Sequence, residues 1–213
     1  MPVKFTKRYQ QNFSYLCSGI KNSILRVNRD NMDNYNNLST NKKYNVIFIC
    51  HGNICRSPMA EFIFRHLATE MGLEDDFEIS SAAVSYEEEG NGIYPYAADT
   101  LLRHSIPFGR HRAHRITIQE YDDADLVIVM DSSNLRLIRR ITGDCSKVHK
   151  LLEYTVMEQD EVAGYETVTN PDEVPDVADP WYTGNFEQAY SDIFRGCRAL
   201  LYALLKSRKS HHC

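Results

Sequence analysis

Cys50 and Arg56 stand either side of five residues, and Ser57-Pro58 follow at once. A cysteine thiolate is a strong nucleophile, and an arginine guanidinium grips a phosphate bidentately. If the residues between them bend into a helix start, unpaired backbone N–H groups and the positive dipole end aim at one point. Such a cradle favours a thiolate and holds a phosphate dianion, so Cys-x5-Arg-Ser reads as a nucleophile inside an oxyanion nest. Cleaving a phosphate ester through cysteine needs a thiolate, a group stabilising the equatorial oxygens, and an acid for the leaving oxygen. Cys50 and the 51–57 loop with Arg56 supply the first two. The third must come from another segment, and Asp179-Pro180-Trp181-Tyr182, at the end of an acidic stretch, is the candidate. On the residues alone, Asp-Pro also reads as a turn, and a cysteine closing a buried strand also reads as a small core residue.

The elements around these residues are legible. Residues 46–49 (Val-Ile-Phe-Ile) run into Cys50 as the carboxyl end of a buried parallel strand, where open α/β sheets place ligands. Pro58 suits a first helical position, Ala60, Ile63, Phe64, Leu67 and Met71 make an apolar stripe, and Gly72 stops it. Residues 77–82 read as a second strand, 83–94 as a loop, and 95–104 as a helix. Thr117-x-x-Glu120 is a capping-box signal. Residues 126–130 form a third strand, a helix follows to Ile141 and stops at Gly143, and 147–152 form a fourth strand. A long acidic stretch, 153–179, precedes a last helix from Asn185 to about Lys206. The alternation predicts an α/β fold: a single doubly wound domain, its four-stranded parallel sheet covered by helices on both faces.

With 213 residues, 43% hydrophobic and 25% charged, the chain has room for one sizeable domain and some excess. The domain is placed at 44–208. Residues 1–43, with eight Asn and eight Lys/Arg against two Asp, read as a disordered basic leader, and 209–213 as a frayed tail. A basic tail touching an anionic partner is the other reading of the leader, and Met32 is an alternative start. The leader's +6 leaves −11 on the remainder, which argues against a nucleic-acid partner and makes a phosphate site a local positive island. No run reaches membrane-span length, and residues 13–20 are too short and polar for a signal core, so no membrane partner is read. Six irregularly spaced cysteines make no secreted disulfide framework. The reading is a cytoplasmic monomer. His211-His212-Cys213 on a chain end is a poor metal site, and neither metal nor cofactor is expected.

The longer string Cys50-x-Gly52-Asn53-x-Cys55-Arg56-Ser57-Pro58 resembles the active-site segment of the low-molecular-weight protein tyrosine phosphatase family. The resemblance runs from about Tyr44 to the end of the last helix, with Ile79-Ser80-Ser81-Ala82, His111-x-Ala113, Asp125-x-x-x-x-Met130-Asp131 and Asp179-Pro180 in the family's order. It implies a metal-independent phosphomonoesterase that hydrolyses phosphotyrosine in proteins, or small aryl phosphates, through a cysteinyl-phosphate. Cys50 would be the nucleophile, Arg56 the clamp, Asp179 the acid and then the base. His51, Gly52, Asn53, Ile54, Cys55, Arg56 and Ser57 would form the phosphate-binding loop. Ser57 would hydrogen-bond the Cys50 sulfur, Asn53 would shape the loop through Ser81 and His111, and Glu61 would pair with His111 behind it. Cys55 would be the redox partner of Cys50, forming a reversible disulfide. Without the family, His111 reads equally as a solvated member of the basic run 110–115, and Cys55 as a packing residue. The substrate rim would be Tyr86, Glu87, Trp181 and Tyr182. His51 and Glu87 depart from the family's habit, which puts apolar and aromatic residues there, so the preferred substrate stays open.

Two other classes compete. Arsenate reductase on the same fold relays a disulfide through further cysteines just after the third strand, where this chain reads Val129-Met130-Asp131-Ser132-Ser133-Asn134. A phospho-carrier or non-catalytic phosphoprotein-binding module would not need both Arg56 and Asp179. Their joint presence favours turnover.

Overall fold

A computed structural model describes residues 43–156 and 173–210. The leader, apart from Lys43, the middle of the acidic stretch and His211-His212-Cys213 lie outside the described residues. The first half runs β1 (Tyr44–Cys50), α1 (Arg56–Glu70), β2 (Phe77–Ala83), α2 (Pro95–Arg103) and α3 (Ile118–Asp123). The second runs β3 (Leu126–Val129), α4 (Ser132–Thr142), β4 (Val148–Lys150), α5 (Pro180–Thr183) and α6 (Phe186–Ser210).

The four strands form one sheet in the order β2-β1-β3-β4. All three pairings are parallel. The chain steps from β1 outward to β2, then crosses to β3 on β1's other side. That reversal opens a crevice past the carboxyl ends of β1 and β3, where doubly wound sheets hold ligands. Cys50 closes β1 at this crevice and Asp131 follows β3 into it.

Strand periodicity divides the core into two layers. Val46, Phe48 and Cys50 of β1 and Leu126 and Ile128 of β3 point into the layer shared with α1, α2 and α6. Ile47 and Ile49, with Val127 and Val129, point into the opposite layer, against Tyr121 of α3 and Ile138 of α4. Burial on both faces explains why these strands are continuous apolar runs rather than alternating ones. Phe64 of α1 bridges Phe48 and Phe77, at ring centroid separations of 5.6 Å and 5.4 Å. Gly196 lets α6 sit close, since a Cβ there would lie 2.6 Å from Leu151 Cγ.

Several boundaries differ from the sequence expectation. Helix α1 begins at Arg56 rather than Pro58. Proline is tolerated in the third position because first-turn N–H groups have no intrahelical acceptor. Strand β3 stops at Val129, one residue early, because Asp131 already caps α4 through Asn134 N–H at 2.6 Å. Strand β4 shrinks from 147–152 to Val148–Lys150, since β3 offers it partners only from Val127 to Val129. Helix α6 continues past Lys206 to Ser210. The capping box at Thr117 and Glu120 has both its bonds.

Candidate active site

The loop between β1 and α1 folds tightly around the Cys50 sulfur. Asn53 N–H approaches Sγ at 3.3 Å and the Ser57 hydroxyl at 3.1 Å. Both are donors, so both stabilise negative charge on that sulfur. Asn53 sits in left-handed backbone, φ 56°. Asparagine adopts that region more readily than most residues, and here its surroundings over-determine it. Its Nδ2 donates to Ser57 Oγ and Ser81 Oγ, each at 2.9 Å. Its carbonyl meets His111 Nε2 at 2.6 Å, and since a carbonyl only accepts, Nε2 carries the proton. His114 N–H reaches Asn53 Oδ1 at 3.4 Å. A polar relay thus runs from Ser81 through Asn53 and Ser57 to the sulfur, with every Asn53 side-chain donor used.

Glu61 lies on this relay, but not where the family resemblance implied. Its carboxylate accepts from Ser81 Oγ at 2.7 Å and pairs with Arg65 at 3.1 Å. His111 is turned to the Asn53 carbonyl instead. Arg65, one helical turn on from Glu61, also donates to the Ile79 carbonyl, which brings it alongside β2 next to Ser81.

Gly52 lets Glu88 lie close over the loop. A Cβ there would lie 2.9 Å from Glu88 Cγ. Glu88 and Glu87 form one wall of a cleft of about 160 Å³, with the 50–56 loop as its floor and Asp179, Trp181 and Tyr182 as the other wall. Glu87 faces His51 Nε2 at 3.0 Å. Tyr86, expected on the rim, turns away from the cleft. Arg115 lies over its ring at 4.7 Å and donates to its hydroxyl at 3.0 Å, which fixes it outside. Glu88 takes the place that Tyr86 was expected to hold. Trp181 packs edge-on against Tyr94, at a centroid distance of 5.5 Å.

Arg56 is the electrostatic centre. Its side chain is 4% exposed. Nη1 donates to Asp131 Oδ2 and Nη2 to Asp179 Oδ2, both at 2.6 Å. A longer bond, 3.4 Å, reaches the Val177 carbonyl. Burial disfavours the guanidinium charge, but the Cys50 sulfur, Asp131 and Asp179 outweigh it and push the pKa above the ordinary arginine value. Among these contacts, Nε–H and the second Nη2–H are left for a ligand. Asp131 was legible as the residue after the third strand. Its grip on Arg56, 75 positions away in the chain, was not.

Asp179 is brought to the site by residues 173–179, which run along the carboxyl edge of the sheet. Its Oδ1 accepts from Trp181 N–H at 3.0 Å. Val177 N–H donates to the Met130 carbonyl at 2.9 Å. Lys150, at the end of β4, binds Asp176 in the same segment at 2.5 Å. Burial raises the Asp176 carboxyl, yet Lys150 and Ser132 outweigh that and hold it below the ordinary carboxylate range. Neither Lys150 nor Asp176 carries a motif that a sequence reading could single out.

Cys55 is buried in the floor of the cleft and, like Cys50, forms no disulfide. Burial first, then the charges of Cys50 and Asp179, push its pKa up to about 12. Cys197, inside α6, lies 3.7 Å from the Ala60 carbonyl, as a core residue would.

Known proteins match this chain in sequence and fold. The family model described as "Low molecular weight phosphotyrosine protein phosphatase" covers residues 45–210. Low molecular weight protein-tyrosine-phosphatase YfkJ of Bacillus subtilis is 37% identical over 166 residues, 77% of this chain and 97% of that protein. The human low molecular weight phosphotyrosine protein phosphatase is 34% identical, over 73% of this chain and 92% of its own. The YfkJ crystal structure superposes with a TM-score of 0.67, covering 78% of this chain and 97% of the other. A structure of YwlE arginine phosphatase, a Bacillus subtilis protein, has a TM-score of 0.60 at 28% identity, covering 78% and 98%. A match spanning the whole described sheet, from β1 through α6, places this chain in the low molecular weight phosphotyrosine protein phosphatase family, whose members are cysteine-based phosphatases.

Proposed function

We propose that the enzyme hydrolyses phosphotyrosine in proteins, and small aryl phosphates, by two in-line steps at Cys50 without a metal. Phosphate oxygens settle among the loop N–H groups and on the free edge of the Arg56 fork. The Cys50 sulfur attacks phosphorus as the P–O bond to the phenol breaks, and Asp179 delivers a proton to the departing oxygen. Water then attacks the cysteinyl-phosphate, Asp179 takes its proton, and inorganic phosphate leaves with the thiolate restored. Ser57 and Asn53 N–H stabilise that thiolate as leaving group. The observation that carries this reading is the ordering of three groups in one cleft: Cys50 at its floor, Arg56 beside it, and Asp179 bonded to Arg56 at 2.6 Å. Six irregularly spaced cysteines do not suit a secreted disulfide framework, and we place the enzyme in the cytoplasm.

Leaving groups test the acid. In Asp179→Asn, kcat/KM for phosphotyrosine should fall by ~10²–10⁴, the span of general acid catalysis. An activated aryl phosphate needs less proton assistance and should lose far less. Equal losses across the series would remove Asp179 from the role.

A second substrate reading has one observation behind it. Glu87 and Glu88 put two carboxylates on the cleft wall, a setting that would suit a cationic group beside the phosphate, as in phosphoarginine. Trp181 and Tyr182 opposite offer flat apolar faces that favour an aryl ester. Release of phosphate from phosphotyrosyl and phosphoarginyl peptides of equal sequence decides between them, and faster phosphotyrosine turnover is expected.

Cys55 is proposed as the resolving thiol. Peroxide converts the Cys50 thiolate to sulfenic acid, releasing hydroxide, and the Cys55 thiol then displaces water to close the disulfide. Oxidation also removes one of the charges that hold the Cys55 thiol protonated. Wild type should recover activity after peroxide once thiol reductant is added. Cys55→Ser at the same dose should not, because its sulfenic acid proceeds to sulfinic. Equal recovery would leave Cys55 a packing residue.

A further inference from the structure

Two charged anchors three residues apart hold residues 173–179 by their side chains, and only one of them touches the cleft. Asp179 is bonded to Arg56. The other point is Lys150, an ammonium 2% exposed at the end of β4. Its Nζ donates to Asp176 Oδ1 at 2.5 Å, to the Val174 carbonyl at 2.5 Å and to Ser132 Oγ at 3.0 Å. An ammonium has three hydrogens, so these three partners use them all. Asp176 Oδ1 accepts further from Ser132 N–H and Oγ, each at 3.0 Å. Ser132 is the residue after Asp131, which grips Arg56 from the opposite side of Asp179. A buried ammonium costs several kcal/mol of desolvation, and an apolar residue would close this layer more cheaply. Yet every bond the Lys150 ammonium makes goes to the acid-bearing segment or to the start of α4.

We propose that Lys150 and Asp176 form a clamp that positions Asp179, making Lys150 a positioning residue for the phosphatase reaction. The inference rests on Asp179 being the general acid. Two of the three Lys150 bonds end on Val174 and Asp176. The segment from there to Asp179 is short enough that its path is set by its anchors, with Val177 held between them through its N–H to the Met130 carbonyl and its carbonyl to Arg56. Releasing Val174 and Asp176 lets that path drift, and misplacing a catalytic group by about 1 Å can cost ~10²-fold.

Lys150→Met keeps the length of the stem, buries no unpaired charge, and leaves Asp176, half-exposed, its bonds to Ser132. Steady-state kcat/KM is compared over aryl phosphates of graded leaving groups for wild type, Lys150→Met, Asp179→Asn and the double variant. Lys150→Met should lose ~10–10²-fold on poor leaving groups and much less on activated ones. The double variant should be no slower than Asp179→Asn alone, and inhibition by inorganic phosphate should be unchanged in Lys150→Met. A loss independent of leaving group, or one that multiplies with that of Asp179→Asn, overturns the clamp and leaves Lys150 a structural residue. A flat series for Asp179→Asn itself overturns the acid assignment and the clamp with it, and that result is read without any Lys150 variant. Should Lys150→Met not fold, Asp176→Asn keeps an acceptor for Lys150 and Ser132 while losing the charge. It should show a milder loss with the same leaving-group dependence, and a flat series there overturns the clamp equally.

Discussion

Replacing Cys50 with serine should lower turnover of phosphotyrosine by a factor on the order of 10⁶, the size of loss seen when a covalent nucleophile is removed. A serine hydroxyl is not ionised near neutral pH, and the loop holds only donors towards position 50. Asn53 N–H and Ser57 OH both point at the sulfur and neither can take a proton from a hydroxyl there. Asp179 serves the leaving oxygen, across phosphorus from position 50 in an in-line displacement, so it too is not placed to act as that base. The fold should survive, because both donors can bond an oxygen as they bond sulfur. The measurement is a single-turnover assay beside a thermal melt. Inorganic phosphate should still raise the midpoint of the variant, since a ligand that binds only the native state stabilises it by mass action. Near-normal hydrolysis by Cys50→Ser would overturn the mechanism.

The second large effect belongs to Arg56→Lys, expected to lower kcat/KM by ~10³-fold or more. The guanidinium holds Asp131 through Nη1 and Asp179 through Nη2, and in the proposed mechanism it takes the phosphate on its remaining edge. A lysine ammonium is one point charge with three hydrogens and no planar fork, so it cannot hold both carboxylates in plane and still grip a phosphate bidentately. Asp179 then loses the contact that draws it to the cleft, and phosphate loses its clamp. Arg56→Met goes further, leaving the carboxylates of Asp131 and Asp179 facing each other without a cation. Breaking a buried pair in that way costs about 3 kcal/mol or more, which a thermal or urea melt reads directly. A lysine variant whose kcat/KM stays within about tenfold of wild type would show that charge alone suffices.

The Cys50–Ser57 loop was legible because its parts are contiguous. Cys50, Asn53, Arg56 and Ser57 span eight residues, and a strand running into a helix start dictates their local geometry. The alternation of strands and helices was legible for a related reason: burial on both faces and helical stripes leave one-dimensional signatures. Boundaries were less so. Strand β4 ended early because its partner β3 is short, and no feature of residues 147–152 themselves announces that.

What the sequence by itself determined is therefore the Cys50–Ser57 segment between a strand and a helix, the alternation of a doubly wound sheet and the candidate segment bearing Asp179. Tertiary structure alone decided how these are held. Asp131 reaches Arg56 only because β3 lies beside β1, so residues 75 apart meet at the crevice between them. Glu61 bonds Ser81 rather than His111, and Tyr86 turns to Arg115 rather than to the cleft, because competing partners for each lie on neighbouring elements. Lys150 looks like any surface lysine until β3 pairs with β4 and buries it against the segment bearing Asp176. Hydrogen bonds reach only about 3 Å, so a polar side chain's partner is set by which backbones the sheet brings within that distance, and the sheet's register is a property of the whole chain.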